Sequence, residues 1–422
     1  MSDILDELEW RGLIAQTTDR DAIGAALAEG PVTYYCGFDP SAPSLHHGHL
    51  VQLITLRHLQ LAGHRPLALV GGATGLIGDP RMSGERTLND RAVVAEWTER
   101  LRSQIEPFLD FGGEHAARMV NNLDWTDGLT AIDFLREIGK HYRLGTMLAK
   151  DTVARRLASD EGISFTEFSY QILQGMDFLE LNRRYGCTLQ TGGNDQWGNL
   201  LSGVELARKA DGTTVHALTT PLITKADGTK FGKTEGGAVW LAPDMMSPYA
   251  FYQFWLNTED ADVERFLKIF TFRSREEIAE LAAAVAERPQ AREGQRVLAQ
   301  DVTSLVHGPE ATDRVERASR ALFGRGDLHD LDEETLGHAV AELPRGDAVV
   351  GESNVVDLLV ATGLAPGRSA ARRTVAEGGA YVNNAKVTDE DHVLAPRDLL
   401  AGRWVLLRRG RRNLAVAEVA RA

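Results

Sequence analysis

Cysteine is scarce in this chain of 422 residues, which contains only Cys36 and Cys187. Two thiols cannot build a disulfide framework or a cysteine-rich zinc site, so we expect both to be reduced. Long apolar runs are also missing, and no stretch is long enough to cross a bilayer. The first ten residues, MSDILDELEW, are acidic and do not resemble a secretory signal. These absences predict a cytoplasmic protein that has no membrane partner.

A surplus of positive charge, which polyanionic partners normally require, is missing from the chain as a whole. The net charge is −14. Residues 351–422 nevertheless hold 11 Lys and Arg against 8 Asp and Glu, so this tail carries +3 and the first 350 residues carry −17. A basic segment on an acidic body indicates a nucleic-acid-binding appendage.

The order of strand and helix patterns indicates the fold class. Between residues 30 and 220, β-type runs such as VTYYCGF and PLALVGG alternate with helical runs such as LVQLITLRHLQLAG, which predicts an α/β fold with a Rossmann-like parallel sheet. Strand signals stop near residue 245, and Pro248 to Leu322 is predicted to be helical. A linker is predicted at Pro344–Ser353, because PRGDAVVGES mixes Pro, Gly and charge. We predict three domains: a Rossmann-like catalytic domain (1–229), a loop followed by a helical domain (230–343), and a small α+β domain (354–422).

The tail has a pattern of its own. It contains an apolar helix, VVDLLVATGL, then a short helix with Arg368, Arg372 and Arg373, and then YVNNAKVT, a hairpin signal around Asn383-Asn384. A solvated charged face would explain the helix arginines alone. Together with the hairpin and the RRGRR run at Arg408–Arg412, they favour RNA binding.

The first motif with chemical content joins a strand to a helix. Asp39-Pro40-Ser41 ends a strand, and His46-His47-Gly48-His49 opens the next helix. The N-terminus of such a helix presents free N–H groups and a positive dipole end at the ligand-binding edge of the sheet. His46 and His49 can both donate hydrogen bonds to a polyphosphate there. The alternatives are a metal site, which would need a further ligand and ranks lower, and solvent exposure.

Two glycine-rich segments fail the spacing of common nucleotide motifs. Lys230-Phe231-Gly232-Lys233-Thr234 resembles the end of a Walker loop, but Gly228 stands one residue too close. The run from Gly71 to Asp79, GGATGLIGD, cannot be written as G-x-G-x-x-G, which weakens a dinucleotide interpretation. The first segment can instead bring two ammonium groups to a triphosphate, although an exposed basic turn is the default for it in isolation. The glycines of the second can let the backbone pass a ligand beside Asp79, or can serve a structural turn.

The most informative segment is the helix that follows Ser164, where Ser164 and Glu167 form a capping-box pattern. Tyr170, Gln174 and Asp177 then recur at i, i+4 and i+7 on a helix that is otherwise mostly apolar. Polar stripes usually face solvent. A phenol, an amide and a carboxylate are unusual on an exposed face, so we expect them to converge on a polar ligand. Gln190 to Gln196, QTGGNDQ, adds polar side chains at another strand-to-helix junction.

Together these segments resemble a known family. HHGH and KFGKT are similar to the two signature motifs of class I aminoacyl-tRNA synthetases, usually written HIGH and KMSKS. YYCGFDPSAPSLHHGHL, GGATGLIGDP, GISFTEFSYQILQGMDFL and LQTGGNDQWGN look like bacterial tyrosyl-tRNA synthetases, and the tail from about Val355 resembles the RNA-binding module of that family. The resemblance covers essentially the whole chain.

The resemblance implies activation of tyrosine by ATP, transfer of tyrosine to tRNA(Tyr), Mg²⁺ with the phosphates, no metal site on the protein, and a homodimer. It implies anticodon binding by the helical domain. The phenol hydroxyl of tyrosine would be bound by Tyr35 and Asp177, and its ammonium group by Asp79, Tyr170 and Gln174. The remaining implied site residues are Gln190 and Gln196 near tyrosine, with Asn122 as a neighbour; Gly37, Asp39, Ser41, His46, His49 and Asp195 along ATP; Lys230, Lys233 and Thr234 at the pyrophosphate; and Arg368, Arg372, Arg373 and Lys386 on RNA.

Two departures from the family pattern stand out. His47 replaces the usual apolar residue of the first signature, which we expect to affect packing more than chemistry. Between Asp79 and Arg86, the RMSGE loop has only Arg81 as a basic residue, where the family often has more lysines. The sequence therefore does not decide which side chain closes over the pyrophosphate. Tryptophanyl-tRNA synthetase is the nearest alternative, although Tyr35 with Asp177 suits a phenol better than an indole. A non-catalytic RNA-binding protein and a P-loop or dinucleotide enzyme rank lower.

Overall fold

The structure is a computed structural model. It describes residues 3–81, 84–229, 231–234, 237–341, 343–410 and 413–419, without the side chains of Asp151, Lys233 and Thr234. The chain divides into two compact units: Met1–Met245 with Thr258–Leu298, and Met246–Asn257 with Ala299–Ala422. The three-domain division made from the sequence stays a prediction.

The first unit is built on a six-stranded sheet. Its strands are β1 (Gln16–Thr17), β2 (Thr33–Phe38), β3 (Arg65–Val70), β4 (Arg118–Asn121), β5 (Cys187–Gly193) and β6 (His216–Thr220). They lie in the order β1-β6-β5-β2-β3-β4. All neighbours are parallel except β1, which pairs antiparallel with β6 at one edge. The predicted α/β class with a parallel sheet is therefore confirmed.

The strand order places a crevice at the centre of the sheet. The chain runs outward from β2 through β3 to β4, and then returns to β5 on the other side of β2. Ligands of open α/β sheets bind outside the carboxyl ends of the strands at such a switch point. The segments that follow β2 and β5, which begin at Asp39 and Asn194, lie at this edge.

Helices surround the sheet. Those of the first unit up to residue 245 are α1 (Ile4–Arg11), α2 (Arg20–Glu29), α3 (His47–Leu61), α4 (Arg91–Ile105), α5 (Leu123–Thr126), α6 (Ala131–Asp133), α7 (Leu144–Leu148), α8 (Asp151–Leu157), α9 (Phe165–Tyr185) and α10 (Trp197–Asp211). A short antiparallel pair follows, β7 (Lys233–Thr234) with β8 (Gly237–Ala238). The core between α9 and the sheet includes Tyr35, Phe178 and Leu179, which are almost fully buried. Burial of such large apolar side chains is the main force that fixes α9 on the sheet.

The chain from Pro248 to Leu322 is mainly helical, as predicted, and one further α-helix follows before residue 341. The α-helices are α11 (Pro248–Leu256), α12 (Asp260–Phe270), α13 (Arg275–Glu287), α14 (Glu293–His307), α15 (Pro309–Leu322) and α16 (Glu333–Val340). In the part of the chain that the structure describes, no helix is long and apolar enough to span a membrane.

The end of the second unit is a small α+β module. It contains β9 (Arg345–Ala348), α17 (Val355–Ala361), α18 (Arg368–Ala376), β10 (Ala380–Val382), β11 (Ala385–Val387), β12 (Trp404–Arg409) and β13 (Asn413–Val419). Its sheet has the order β11-β10-β12-β13-β9. The predicted hairpin is confirmed, because Asn383 and Asn384 both have positive φ, 45° and 66°, between β10 and β11. Two positive φ values are what a type I′ hairpin turn requires.

The linker predicted at Pro344–Ser353 is wrong for its first part. Residues Arg345–Ala348 form strand β9, which pairs in parallel with β13 at the edge of the sheet. Their sequence, RGDA, has no apolar alternation, so nothing local indicates a strand. The hydrogen-bonding groups of the neighbouring strand impose the extended conformation instead.

Candidate active site

The polar stripe of α9 faces the interior of the first unit, as expected. Tyr170 and Asp177 are 5% and 2% exposed, and Gln174 has a buried Oε1 with no partner among the described residues. The N-cap of α9 is also confirmed, since the Ser164 hydroxyl accepts from the Glu167 N–H at 3.2 Å. The reciprocal half of the capping box is absent, because the Glu167 carboxylate is used elsewhere.

Asp177 is the last residue of the polar stripe, and two side-chain donors bind its carboxyl group. Its Oδ2 accepts from Asn122 Nδ2 at 3.0 Å, and its Oδ1 accepts from Trp125 Nε1 at 2.9 Å. Asn122 is held in turn by the Thr74 hydroxyl and by the Ala73 N–H. Burial raises the pKa of Asp177 to about 8, and the two donors oppose that rise.

Tyr35 projects from β2 towards the same place. Its ring meets Phe178 edge-on, with centroids 5.3 Å apart. Its hydroxyl is buried and has no hydrogen-bond partner among the described residues. Burial raises its pKa well above the ordinary value, and the charge of Asp177 raises it further, which indicates that the two groups are near each other. A buried hydroxyl without a hydrogen-bond partner lowers the stability of the protein unless a ligand forms a hydrogen bond with it.

Asp39 joins the end of β2 to α9. Its Oδ2 accepts from the Tyr170 hydroxyl at 2.6 Å, and its Oδ1 accepts from the Thr74 hydroxyl at 2.7 Å. Burial raises the pKa of Asp39. Gly71 is required at this point, because a Cβ there would collide with the side chains of Asp39 and Thr74. For Gly71, the structure therefore supports the interpretation that the glycine serves a structural turn.

Asp79 is half-buried and binds side chains at the β5–α10 junction. Its two oxygens accept from Asn199 Nδ2 and from Gln196 Nε2, both at 3.1 Å. Burial raises the pKa of Asp79. Lys150 donates to the Gly198 carbonyl at 2.8 Å, and burial lowers its pKa to about 8. Thus the structure joins Asp79 and Gln196, which were predicted, to Asn199 and Lys150, which were not.

The two predicted histidines form the N-terminal cap of α3. His46 Nδ1 accepts from the Gly48 N–H at 3.0 Å, and His49 Nδ1 accepts from the His46 N–H at 3.2 Å. Since Nδ1 is an acceptor in both rings, the proton lies on Nε2, which is left as a donor. Burial lowers the pKa of both imidazoles, that of His49 well below its ordinary value. Both rings are therefore neutral at pH 7.

His47 packs against the second signature segment. Its ring meets Phe231 edge-on at a centroid distance of 5.3 Å and lies against the space where a Cβ of Gly232 would be. Burial lowers the pKa of His47 to about 4. The expected packing role of His47 agrees with these contacts. Lys230 lies outside the described residues, and only the backbone of Lys233 and Thr234 is described, as strand β7.

The other predicted side chains lie at the carboxyl edge or inside the sheet. Gln190 is buried in β5, which extends to Gly193 and is longer than its sequence pattern indicates. Asp195 follows β5 and faces Gln196 at 3.4 Å, whereas Gly37 in β2 and Ser41 after it are exposed. Within the described residues, no group of three or more His, Cys, Asp or Glu could hold a metal ion.

The basic residues predicted to bind RNA lie on the terminal module. Arg368 pairs with Asp357 at 2.7 Å, and Arg372 approaches Glu390 at 3.7 Å. Arg373 lies on the same helix, α18, and Lys386 lies on β11. Of the RRGRR run, Arg408 stacks on the Tyr381 ring at 3.9 Å, whereas residues 411 and 412 lie outside the described chain.

Sequence reasoning missed most of the groups that hold the predicted ones. Thr74, Trp125 and Asn199 are neither charged nor part of a periodic pattern, so nothing local distinguishes them. Asn122 was implied by the family resemblance, and it had a local signal as well, because strand β4 (RMVN) ends at Asn121 and Asn122 follows it, which places two amides at the ligand-binding edge.

Two family models match the chain. The model described as tRNA synthetases class I (W and Y) matches residues 27–324. The model described as Tyrosine–tRNA ligase SYY-like C-terminal domain matches residues 336–417.

Curated relatives match over nearly the full length. The Tyrosine–tRNA ligase of Streptomyces coelicolor is 65% identical over 420 residues and covers 99% of each chain. The Tyrosine–tRNA ligase of Acidothermus cellulolyticus is 60% identical over 427 residues and covers 100% of each.

Solved structures show the same likeness. A C-terminally truncated mitochondrial tyrosyl-tRNA synthetase of Aspergillus nidulans is 31% identical with a TM-score of 0.70, covering 76% of this chain and 95% of that one. A tryptophanyl-tRNA synthetase from Encephalitozoon cuniculi is 14% identical with a TM-score of 0.54, covering 73% and 87% of the two chains, which is a likeness of fold alone.

Proposed function

The chain belongs to the class I tyrosine–tRNA ligases, aminoacyl-tRNA synthetases that use ATP, and we propose that the crevice beside α9 and α3 binds tyrosine and ATP next to each other. The observation that carries the proposal is the buried, unpaired hydroxyl of Tyr35 beside the carboxyl group of Asp177. A phenol hydroxyl both donates and accepts hydrogen bonds, so it can bind the Tyr35 hydroxyl and the Asp177 carboxyl group at the same time.

Rejection of phenylalanine follows from the same geometry. Phenylalanine would leave the Tyr35 hydroxyl without a hydrogen-bond partner, at a cost of about 1–3 kcal/mol, whereas Asp177 would keep its donors Asn122 and Trp125. Rejection of phenylalanine by tyrosyl-tRNA synthetases is a known case of such discrimination, in which a site that binds a substrate hydroxyl rejects the analogue without it. Tryptophan offers a single N–H donor and no acceptor, so it satisfies the pair less well.

The ammonium group of tyrosine is proposed to lie between Asp79, Tyr170 and Gln174. These residues offer a carboxylate, a phenol oxygen and an amide oxygen, all of which accept hydrogen bonds from an ammonium group. The free Oε1 of Gln174 supports this position. Gln190 and Gln196 complete the surroundings of tyrosine in the proposal.

ATP is proposed to lie along the carboxyl edge of β2 and the N-terminus of α3. Gly37, Asp39 and Ser41 line this path, and Asp195 is assigned to the ribose. The free Nε2–H groups of His46 and His49 would donate to phosphate oxygens, beside the positive end of the α3 dipole. Lys230, Lys233 and Thr234 are assigned to the departing pyrophosphate on their resemblance to the second signature.

The chemical step needs positioning more than acid–base catalysis. The tyrosine carboxylate, already an anion at pH 7, attacks the α-phosphorus of ATP; a P–O bond forms to the carboxylate oxygen, and the bond to pyrophosphate breaks. Because no proton has to be removed, the chain needs no nucleophilic Ser or Cys and no general base. The neutral histidine donors and the signature lysines would stabilise the charge that develops on the phosphates.

Mg²⁺ is expected to accompany the phosphates of ATP. The carboxylates of Asp39 and Asp79 are not free to bind a metal ion on the protein. Both oxygens of Asp39 and both oxygens of Asp79 are engaged by side-chain donors. Mg²⁺ commonly keeps water and phosphate oxygens as ligands. We therefore assign no protein ligand and no step to the metal ion.

The second substrate is proposed to be tRNA(Tyr), bound in part by the C-terminal module. The +3 charge of residues 351–422 supports this assignment, with Arg368, Arg372, Arg373 and Lys386 as candidate phosphate contacts. The helical residues before the module are assigned to the anticodon. Because ribosomes consume aminoacyl-tRNA in the cytoplasm, the protein is proposed to act there.

A homodimer is proposed from an exposed apolar region between residues 132 and 165. Six large hydrophobic side chains of this short segment are exposed: Ile132, Leu135, Leu144, Leu148, Leu157 and Phe165. Phe165 is 73% exposed. Concentrated apolar exposure of this kind indicates a protein interface.

The interface can be tested by analytical ultracentrifugation. Phe165→Glu should convert the dimer to a monomer, because it buries a charge at an apolar contact. Leu61→Glu is the matched control, since Leu61 is also exposed but lies at the end of α3. A dimer that survives Phe165→Glu, or that dissociates equally with the control, would contradict the proposed interface.

The function itself is tested by amino-acid-dependent exchange of labelled pyrophosphate into ATP. Tyrosine should support exchange, while tryptophan and phenylalanine should not. A preference for tryptophan would assign the chain to the other enzyme of this family model. RNA binding without exchange for any amino acid would instead indicate a non-catalytic RNA-binding protein.

A further inference from the structure

The polar stripe of α9 extends one turn further than the residues assigned to tyrosine. Glu167 lies three positions before Tyr170, and its carboxylate forms an ion pair with Arg156 of α8 at 2.8 Å. The two side chains are only 1% and 2% exposed. A buried ion pair is weak evidence for stability, because removing both charges from water costs about as much as their attraction returns. Its remaining hydrogen bonds therefore indicate what the pair does.

Those hydrogen bonds go to both ends of one loop. Arg156 Nη1 donates to the Arg81 carbonyl at 3.1 Å, and Glu167 Oε1 accepts from the Arg86 N–H at 3.1 Å. A third bond, from Arg156 Nε to the Gly162 carbonyl at 2.9 Å, fixes the guanidinium plane. The pair thus fastens the backbone of the loop at residue 81 and at residue 86.

The loop reaches the candidate site through Arg86. Its Nε donates to the Asp79 carbonyl at 2.8 Å, and the same Asp79 carries the carboxylate bound by Gln196 and Asn199. Arg86 also packs over Gly78, whose φ is +82°. A continuous series of hydrogen bonds therefore joins the buried pair to Asp79.

We infer that Arg156 and Glu167 are positioning residues, which hold the backbone at Arg81 and at Arg86 against α9 so that Asp79 and these two arginines meet the substrates together. The inference rests on the proposed function, because Asp79 is assigned there to the tyrosine ammonium, and the family resemblance places this loop beside the pyrophosphate. Neither Arg156 nor Glu167 is proposed to touch a substrate. They act through the backbone at Arg81 and Arg86.

The first test is Glu167→Gln, which keeps the shape of the side chain but removes its charge. The amide N–H₂ would face the guanidinium of Arg156, so the bonds to the loop should weaken. We expect kcat/KM for ATP in pyrophosphate exchange to fall by about 10- to 100-fold, the size of effect that a misplaced group produces. The KM for tyrosine should change less, because Tyr35 and Asp177, which are proposed to bind the phenol, have no hydrogen bond to the described residues of the loop.

The matched control is Asp211→Asn. It removes the ion pair between Arg183 and Asp211, 2.7 Å apart, which lies on the surface of the same unit and does not touch the loop. Exchange kinetics of this variant should equal those of the wild type. An equal loss in both variants would mean that any lost ion pair in this unit has the effect, and would overturn the inference.

Loop order can be measured without activity. Trypsin cleaves after Arg81 and after Arg86, so limited proteolysis with mass spectrometry follows both ends of the loop. Cleavage at these two positions should be faster in Glu167→Gln than in the wild type or in Asp211→Asn, at a temperature well below all three melting temperatures. Unchanged cleavage together with unchanged kinetics would contradict the positioning role.

A double variant separates positioning from stability. In Arg156→Met/Glu167→Leu the two charges leave the core together, a change that is often neutral or stabilising. We expect a melting temperature close to that of the wild type, with faster loop cleavage and slow exchange. Full activity in this variant would show that the pair serves stability alone. If the double variant does not fold, Arg156→Lys, which keeps the charge but cannot reach two carbonyls at once, gives the same comparison.

The two proposals fail in distinguishable ways. No tyrosine-dependent exchange by the wild type would refute the proposed function. If the wild type catalyses tyrosine-dependent exchange and the Glu167→Gln and double variants have the same exchange kinetics and loop cleavage, only the positioning role is refuted.

Discussion

At the scale of single residues, the candidate site is a set of buried polar groups whose partners are incomplete. Asp177 has two donors, whereas Tyr35 has none. Such groups are costly in a free protein, and a ligand that completes them gains specificity from that cost. The residues of the site could be found from the sequence because a phenol, an amide and a carboxylate at i, i+4 and i+7 are unusual on an exposed face. The partner Trp125 could not, because it reaches Asp177 from a different part of the chain, and Asn122 was implied only by the family resemblance.

Tyr35→Phe separates the ligand role of the hydroxyl from its structural role. Because the hydroxyl has no partner in the free protein, its removal should leave the melting temperature unchanged or slightly higher. The KM for tyrosine should rise, and selection of tyrosine over phenylalanine should fall by a factor corresponding to about 1–3 kcal/mol. Thermal unfolding and exchange kinetics with both amino acids measure the two effects. A destabilised variant with unaltered selectivity would mean that the hydroxyl has a partner inside the protein.

Asp177→Ala should impair tyrosine use far more than ATP use. The substitution removes the acceptor of the phenol and also leaves the donors of Asn122 and Trp125 unpaired. KM values for tyrosine and for ATP, from pyrophosphate exchange, provide the comparison. Equal damage to both would indicate that α9 has only a structural role at this position.

At the scale of elements, helix α3 concentrates titratable groups in a dry environment. His46, His47, His49 and His58 all have lowered pKa values, and burial is the largest cause in each case. The helix could be predicted from its apolar periodicity, and the phosphate-binding character of its N-terminus from the HHGH motif. The use of two imidazoles as the N-cap could not be predicted, because histidine is not among the preferred capping residues.

The lowered histidine pKa values predict a loss of stability in acid. Burial lowers the pKa of His58 to about 3, below the ordinary value of 6.5. Between these values the unfolded chain binds a proton that the folded chain does not, so stability is complete above pH 6.5 and falls as the pH decreases. His58→Leu should reduce this loss by about 1.4 kcal/mol for each pH unit between 6 and 4. Urea unfolding of wild type and variant at several pH values measures the difference.

The control for this prediction is His329→Gln, since His329 is exposed on the second unit. It should leave the dependence of stability on pH as it is in the wild type. The same slope in His58→Leu and in the wild type would contradict the assignment of a depressed pKa to His58.

Strand β9 shows the limit of element prediction. Its four residues, RGDA, contain charge and glycine and gave a linker signal, yet they complete the sheet beside β13. The helices α17 and α18 and the Asn-Asn hairpin were predictable because their signals are local. An edge strand that depends on a partner about 70 residues away carries no local signal.

At the scale of the whole molecule, an acidic body carries a basic C-terminal module. The structure changes the way in which the module should be removed. A deletion from Val355 would leave β9 without β13, so the cut should follow Leu343 instead. Removal of residues 344–422 should spare tyrosine-dependent exchange but impair transfer to tRNA, because the module has a net positive charge whereas the rest of the chain is acidic.

Exchange and aminoacylation of the same truncated preparation measure the two activities. Triple substitution of Arg368, Arg372 and Arg373 by Gln in the full chain is the companion variant, and it should weaken aminoacylation with a smaller salt dependence. Unchanged aminoacylation in both variants would refute the assigned role of the module.

Tyr35 and Asp177 are proposed to bind one phenol hydroxyl together, and a crystal structure of the protein with bound tyrosine would show whether they do. The phenol oxygen should lie within hydrogen-bond distance, about 2.6–3.2 Å, of both the Tyr35 hydroxyl and an Asp177 oxygen, with the ammonium group towards Asp79 and Gln174. Tyrosine bound in the reverse orientation, or away from the α9 stripe, would contradict the proposal.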